Sequence, residues 1–582
     1  MRAFFINLLA TFTGLVIFSI LALFVFIGFI GVLASSGDEV PMVKQNSVLY
    51  LPMSGVLVEQ VIENPIAEAF GESPGQLALR EVLRAIDVAK TDENIKGIYI
   101  ETKFLQSSLA ALQEVRDALA AFKESGKFVY AYGDYVSESD YYVASVADSI
   151  FLNPEGQLEF NGLAATIMFY KGLFDKLEIE PIVFRVGQYK SFVESYTRTD
   201  MSEENRLQYK ELLNSIYDHY LKNVAESRGM EVAELERISD GMLVQFPEDA
   251  EKLGLVNKVS YEDEVKDLMK DKLAIDAADD IEFIAMKDYI KVAKSTLESK
   301  KDKIALVVAN GAIVPSAGDD EAIGGEQFAK HIRDAREDKN VKAIVLRINS
   351  PGGSLLGSEL IWREVMLTKG VKPIIASMGG VAASGGYYIA MAADTIVAQP
   401  NTITGSIGIF SILFNVENFM DNKLGLTHDV VGTGDYSDFI TITRAYTPYE
   451  MAFMQGSVDK GYRTFTNKVA EGRDMSIEEV LAVAGGRVWT GTQAKENGLV
   501  DVLGTYNDAI KLAADAAGLE EYSLKMYPQQ KPFFEKLMED LGGQTRSIFA
   551  KDHILAPYEK QLKSLKELEG VQARMPGELI IK

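Results

Sequence analysis

The sequence predicts an α/β protein built from two copies of one unit, carried behind an N-terminal apolar helix. Three observations carry this prediction. Blocks of sequence recur in one order at offsets of 244 to 246 residues. Short β-branched runs alternate with amphipathic stretches, as expected of βαβ units around a parallel sheet. The first 37 residues hold a long uncharged segment.

Composition bounds the rest. The 582 residues include 59 Lys and Arg against 84 Asp and Glu, a net charge of −25. That balance argues against nucleic acid, because phosphate neutralisation needs clustered cations. The 47% hydrophobic and 25% charged content is that of a globular protein with a large core. There is no cysteine, which excludes disulfides, thiolate metal sites and a thiol nucleophile and suits an oxidising compartment. The four histidines, His219, His331, His428 and His553, are scattered. His331 lies in the charged run HIRDARED and reads as a solvated surface residue. No metal or cofactor is expected.

The N-terminal segment comes first. Ala3 to Gly37 carries no charge, and Leu8–Ala34 is almost wholly apolar over 27 residues. A helix of that length reaches about 40 Å, against a hydrocarbon core of about 30 Å. A cleavable leader has an apolar region of about 7–15 residues. The segment, residues 1–45 with its flanks, therefore reads as an uncleaved, membrane-spanning anchor. Arg2 before it and Asp38 and Glu39 after it hold the N-terminus inside and send the body across the membrane.

The duplication follows. YYVASVADSIFLNP at 141–154 and YYIAMAADTIVAQP at 387–400 share seven of fourteen positions at an offset of 246. The same offset aligns Asn94–Ile98 with Asn340–Ile344 and Gly162 with Gly408. VAESRGM at 224–230 matches VAEGRDM at 469–475, and EKLGLV at 251–256 matches KENGLV at 495–500. The copies are assigned to 46–270 and 303–540. Between them, 271–302 is charged and helix-prone and reads as a helical linker. In the second copy Ile304–Val308, Ala343–Ile348 and Pro373–Ser377 read as strands, and Gly325–Glu337 and Ser354–Thr368 as helices. Residues 541–582 are polar and aperiodic and read as a loosely ordered tail.

Two glycine-bearing loops of the second copy can carry chemistry. Asn349-Ser350-Pro351-Gly352-Gly353-Ser354 runs from a strand into a helix, where bare backbone N–H groups can hold an anion or an oxyanion. It can equally be a plain turn. Met378 to Gly386 places Ser384 among small residues ahead of a helix, where its hydroxyl is a candidate nucleophile with the Gly385 N–H beside it, or simply a helix cap. In the first copy Glu138 stands in place of Ser384, and Gln106 and Ser107 in place of Gly352 and Gly353. A serine nucleophile needs a base, and no histidine lies near either loop in sequence. GQYKSF at 187–192 aligns with GDYSDF at 434–439, so Lys190 is replaced by Ser437 in the second copy. One copy keeps a serine and the other a lysine. Side-by-side packing of the copies would make one Ser–Lys pair.

At these residues the chain resembles signal peptide peptidase A in its long, two-repeat bacterial form. The likeness runs through the apolar anchor, both repeats, NSPGGS at 349–354, ASGGYYIAMAAD at 383–394 and GQYKSF at 187–192. The resemblance implies tandem Clp/crotonase-like units and a serine endopeptidase that degrades remnant signal peptides and other apolar peptides. It implies Ser384 as nucleophile and Lys190 as general base. Gly352, Gly353 and Gly385 are the expected oxyanion donors. It also implies a homotetramer tethered to the inner membrane by one span, with the catalytic body on the periplasmic side. Where the Clp proteases carry a histidine after the nucleophile helix, this chain reads Val397-Ala398-Gln399-Pro400. A lysine base must be brought from about 10.4 down to about 7–8, which burial can do; Phe184, Val186, Phe192 and Val193 are the expected apolar neighbours. The competing readings are a broader envelope quality-control peptidase, a crotonase-like acyl-CoA enzyme and an inactive membrane scaffold.

Overall fold

A computed structural model of the chain describes residues 2–35, 40–61, 75–316, 318, 322–528 and 571–575. Helix α1 (Arg2–Ser35) covers the predicted anchor. Among the described residues no helix is long and apolar enough to cross a membrane.

The first repeat contains β1 (Ser47–Val58), β2 (Gln76–Ala78), β3 (Ile95–Gln106), α2 (Leu109–Lys123), β4 (Phe128–Val136), α3 (Glu138–Ala144), β5 (Ser149–Leu158), β6 (Glu180–Val186), α4 (Glu203–Arg228), β7 (Lys258–Val259), α5 (Glu262–Leu273), β8 (Phe283–Ala285) and α6 (Met286–Ser295). The second contains β9 (Lys303–Asn310), β10 (Ala312–Val314), β11 (Ala322–Gly324), α7 (Gly325–Glu337), β12 (Val341–Ser350), β13 (Gly352–Ser354), α8 (Leu355–Thr368), β14 (Ile374–Ala383), α9 (Gly385–Ala390), β15 (Thr395–Ala398), β16 (Ile403–Gly405), β17 (Ile409–Asn415), β18 (Val488–Thr490), β19 (Val502–Leu503), α10 (Tyr506–Ala516) and β20 (Ser523–Tyr527). A last strand, β21 (Gln572–Arg574), lies near the C-terminus.

The two main sheets share one plan. Parallel strands run in the order β1-β3-β4-β5-β7 in the first and β9-β12-β14-β15-β19 in the second. The central strands of the second sheet are buried along nearly their whole length. That is why they appear in the sequence as unbroken Ile, Val and Ala runs rather than alternating ones: helices cover both faces of a parallel sheet. Outside β1 lies β8, and outside β9 lies β20, both parallel to their neighbour. The segment read as a helical linker, 271–302, therefore holds the closing strand of the first repeat. Three residues, Phe-Ile-Ala, after the acidic run DAADDIE give no periodic signal, yet they pair with Val48–Tyr50.

A third sheet runs β11-β10-β13-β21-β17-β6 and joins the repeats. In it β6 pairs antiparallel with β17 from Ile409↔Val186 to Asn415↔Glu180. Ile182 and Phe184 thus enter the core of the second repeat. Leu212 and Ile216 of α4 pack against Ala383, Ile403 and Val488. A buried ion triad adds a polar tie. Arg347 of β12 donates to Glu59 (2.8 and 3.0 Å), to Glu114 of α2 (3.0 Å) and to Ser377 Oγ (3.1 Å). The Tyr506 N–H donates to the other Glu114 oxygen at 3.0 Å.

Candidate active site

Ser384 sits at the strand-to-helix turn between β14 and α9. Its backbone is at φ 56° and ψ −111°, and its side chain makes no capping bond to α9. A non-glycine residue at positive φ is strained and is retained when surrounding structure enforces it. Here the Ser384 N–H donates to the Gly405 carbonyl at 2.8 Å, and Gly385 and Gly386 follow where a Cβ would crowd Ser358 Oγ (2.7 Å) and Ser350 O (2.6 Å). The plain helix-cap alternative is therefore not what this serine does.

Lys190 arrives from the first repeat. The loop after β6 is pinned to the second repeat: Tyr189 N–H donates to Gly485 O at 3.0 Å, and a Cβ on Gly187 (φ 101°) would meet that same oxygen at 2.3 Å. Behind the loop, Gln208 Nε2 donates to Tyr189 O (3.1 Å) and Ser191 Oγ (2.7 Å). Lys190 is 0% exposed, as is Ser384. Its Nζ lies 2.7 Å from Ser384 Oγ, 3.0 Å from Ser406 O and 3.1 Å from Ser406 Oγ. Burial drives its pKa well below the ordinary lysine value. A neutral amine has two N–H bonds and one lone pair. Two contacts to Ser406 can take the N–H groups, which leaves the lone pair for the Ser384 hydroxyl.

Two glycines lie directly against the lysine stem. Gly408 and Gly486 of the second repeat press on it: a Cβ on Gly408 would lie 3.2 Å from Lys190 Cδ, and one on Gly486 (φ 85°) 2.7 Å from Lys190 Cβ. Phe184 and Val193 are buried in neighbouring clusters, with Val186 and Phe192 half-buried beside them. Ser406, at φ 50°, was missed by sequence reasoning. Its signal was a serine between Gly405 and Gly408, which without a structure reads as a turn.

The three glycines divide their roles. Gly352 and Gly353 form strand β13 rather than a bare turn, and Ser354 caps α8 by accepting from Gly357 N–H. The Gly352 N–H donates to Ser350 Oγ at 3.2 Å. A Cβ at this position (φ 95°) would lie 2.1 Å from Ala573 O and 2.6 Å from Gly385 N, so the close approach needs glycine. Gly353 lies in β13 between β10 and β21, and Gly385 opens α9, where the first N–H groups lack helical acceptors. His331 is half-buried rather than solvated, and its pKa is lowered by that burial. His219 contacts Gln113 at 3.1 Å.

Comparison with known proteins agrees with the duplication. The family model described as peptidase family S49 matches twice, over residues 121–276 and 367–520. "Protease 4" of Salmonella typhi is 36% identical, covering 91% of this chain and 85% of that protein. "Serine protease SPPA, chloroplastic" of Arabidopsis thaliana is 33% identical over 92% of this chain and 78% of its own length. "Putative signal peptide peptidase SppA" of Enterococcus faecium is 35% identical over 38% of this chain and 66% of its own length. These matches set aside the acyl-CoA alternative. With a family match in each repeat and relatives aligned across nearly the whole chain, the protein belongs to peptidase family S49 and is a serine peptidase.

Proposed function

We propose that Ser384 and Lys190 form the catalytic dyad of a membrane-anchored endopeptidase that degrades cleaved signal peptides and other apolar peptides. The observation that carries this reading is the 2.7 Å contact between a fully buried lysine amine and a serine hydroxyl held on a strained turn. Lys190 Nζ takes the hydroxyl proton as Ser384 Oγ attacks the scissile carbonyl carbon. The resulting oxyanion is held by the N–H groups of Gly353 and Gly385. Collapse releases the amine with the proton from Lys190 and leaves an acyl-serine, which water hydrolyses by the same proton route.

The uncharged, apolar sequence of residues 3–37 supports anchoring in a lipid bilayer, with the two Clp/crotonase-like repeats on the periplasmic side of a bacterial inner membrane. A homotetramer is part of the same reading. Its apolar substrates are delivered by the membrane in which α1 sits. The test is hydrolysis of a synthetic signal peptide by the detergent-purified chain, together with labelling by a fluorophosphonate. Wild type should cleave and label; Ser384→Ala and Lys190→Ala should do neither. Full activity in Lys190→Ala would sink the dyad.

A further inference from the structure

The segment Gly485-Gly486-Arg487-Val488-Trp489 lies against both halves of the dyad. Gly485 O accepts from the N–H of Tyr189, directly before Lys190, and Gly486 presses on the Lys190 stem. Arg487 O accepts from Ser406 N–H at 2.7 Å, and Ser406 in turn contacts Lys190 Nζ through its carbonyl and its hydroxyl. Val488 and Trp489 of β18 pair with Gly405 and Thr404 of β16, and Gly405 O accepts from Ser384 N–H. These are main-chain ties. The Arg487 side chain adds a tie of its own.

The Arg487 guanidinium lies over the Trp489 ring, 4.2 Å from its centroid, and over the Tyr189 ring, 5.2 Å from its centroid. Both rings are within cation–π reach. The guanidinium also donates to the Glu211 carboxylate on α4. Trp489 is fixed in turn: its Nε1 donates to Val483 O at 2.9 Å, and a Cβ on Gly405 (φ 75°) would lie 2.7 Å from its Cδ1. A planar, delocalised cation can stack on rings and pair with a carboxylate at once, which a compact ammonium does poorly. The stack thus runs from the residue before the base to the glycine that holds the nucleophile's N–H. Tyr189, Arg487 and Trp489 are half-buried, and Lys190, Ser384 and Ser406 beside them are fully buried.

The other copy of each segment lacks these groups. The match of EKLGLV at 251–256 with KENGLV at 495–500, carried back without a gap, sets Met242, Leu243 and Gln245 opposite Gly486, Arg487 and Trp489. The backbone agrees, with Met242 at φ 47° and Gly486 at φ 85°. Leu243 packs against the first-repeat core instead of reaching across. The match of VAESRGM with VAEGRDM, carried back along the helix, sets Glu211 opposite Gly456. The cation and the indole are thus kept only in the copy that carries the nucleophile, and the carboxylate only in the copy that carries the base. This is the same reciprocal pattern that Ser384 and Lys190 show.

We propose that Arg487 is a positioning residue of the dyad: through Tyr189, Trp489 and Glu211 it clamps the Lys190 loop of one repeat against the Gly405–Ser406 turn of the other and keeps the amine dry and aimed at Ser384 Oγ. This rests on the dyad reading above. Arg487 takes no proton itself and acts through its neighbours. Without the guanidinium the Tyr189 ring loses its partner, the loop loosens and water reaches the amine. A displaced base slows the attack of Ser384, and a hydrated amine regains part of its ordinary affinity for a proton. Glu211 anchors the cation, so its loss acts in the same direction and by less.

The test is the pH profile of kcat and KM for an apolar fluorogenic peptide, measured on the detergent-purified full-length chain. Wild type is compared with Arg487→Lys, Arg487→Leu, Glu211→Gln and Lys190→Ala, and urea unfolding is followed for each. Arg487→Leu gives the second repeat the residue of the first. Both Arg487 variants should lose about tenfold or more in kcat with little change in KM, and the acid limb of each should move to higher pH. Glu211→Gln should move the limb the same way by less. An Arg487→Lys chain equal to wild type overturns the clamp, because charge alone would then suffice. A rise in KM at unchanged kcat overturns it in favour of substrate binding, and a fall in kcat with the limb unmoved overturns it in favour of a structural role. If Arg487→Leu does not fold, the limbs of Arg487→Lys and Glu211→Gln decide. Full activity in Lys190→Ala overturns the dyad reading and the proposal with it, whereas an inactive Lys190→Ala beside Arg487 variants equal to wild type overturns the proposal alone.

Discussion

The two repeats share a frame and differ at one turn. Tyr141 in the first donates to Leu255 O at 2.7 Å, and its counterpart Tyr387 donates to Leu499 O at 3.0 Å. Asp148 accepts from Val129 N–H as Asp394 does from Ile374 N–H, at 2.8 and 2.9 Å. At the turn the likeness ends. In the first repeat Ser137, at φ −69°, caps α3 in the ordinary way, and Glu138 accepts from Gly162 N–H at 3.0 and 3.2 Å. In the second, Ser384 is strained and caps nothing, and Gly408, the counterpart of Gly162, lies against Lys190 instead. The first repeat fills its own site with a carboxylate and lends a lysine to its neighbour. One centre therefore arises from two frames, and its strain and its buried amine both lie where the repeats meet.

The largest test of that asymmetry is removal of the pair. Ser384→Ala or Lys190→Met should each lower kcat/KM by about 10⁴-fold or more, with the double variant no worse than the singles. Activity should fall as pH drops through the lowered Lys190 pKa, because the protonated amine cannot accept. Stability carries a second signature. The folded pKa lies below the unfolded one, so the unfolded chain binds the extra proton between them. Wild-type stability therefore rises with pH through that window, up to about 10.4. Lys190→Met should lose that rise and melt higher near neutrality. Melting curves that keep the same pH slope would show that the buried amine is not the source.

Next in size is the tie between the repeats. Arg347→Met leaves Glu59 and Glu114 facing each other in a buried site without their cation. Breaking a buried ion pair from one side costs about 3–5 kcal/mol, which urea unfolding will read. Loss of activity should follow, since Lys190 and Ser384 belong to different repeats. A variant as stable as wild type would show that β6–β17 pairing alone sets their relation.

Glu138 tests the filled site. Burial pushes its pKa up to about 7. An acid with a raised folded pKa holds its proton more tightly when folded, so its contribution is complete below the unfolded value and is lost as pH rises to about 7. The loss amounts to about 3 kcal/mol. Glu138→Gln should remove this pH dependence and leave peptide cleavage unchanged. Glu138→Ser in a Ser384→Ala background should restore nothing, because Lys190 points to the other turn.

Much of this was legible in the sequence because it is written in side chains. The central strands announce themselves as apolar runs, and the dyad emerged from what each repeat lost. What escaped is written in the backbone. Strand β21 is the QAR of VQARM within a polar tail and pairs through main-chain groups that any residue offers. The three residues of β8 carry no period. Gly486 matters because it lacks a side chain, and Ser406 because its carbonyl accepts as well as its hydroxyl.

Ser406 gives the smallest and most discriminating test. Its hydroxyl and carbonyl both contact Lys190 Nζ, so a variant without the hydroxyl keeps one of the two contacts. A lost hydrogen bond of this kind is worth about 1 kcal/mol, about a fivefold change in rate. Alanine at φ 50° brings backbone strain of its own, whereas glycine does not. If the hydroxyl aims the amine, Ser406→Gly and Ser406→Ala should both lose about fivefold in kcat with little change in KM, and both should shift the acid limb of the pH profile. If the residue serves only the turn, Ser406→Gly should be near wild type and Ser406→Ala impaired, with the limb unmoved in each. The two variants thus separate aiming of a shared base from shaping of one repeat.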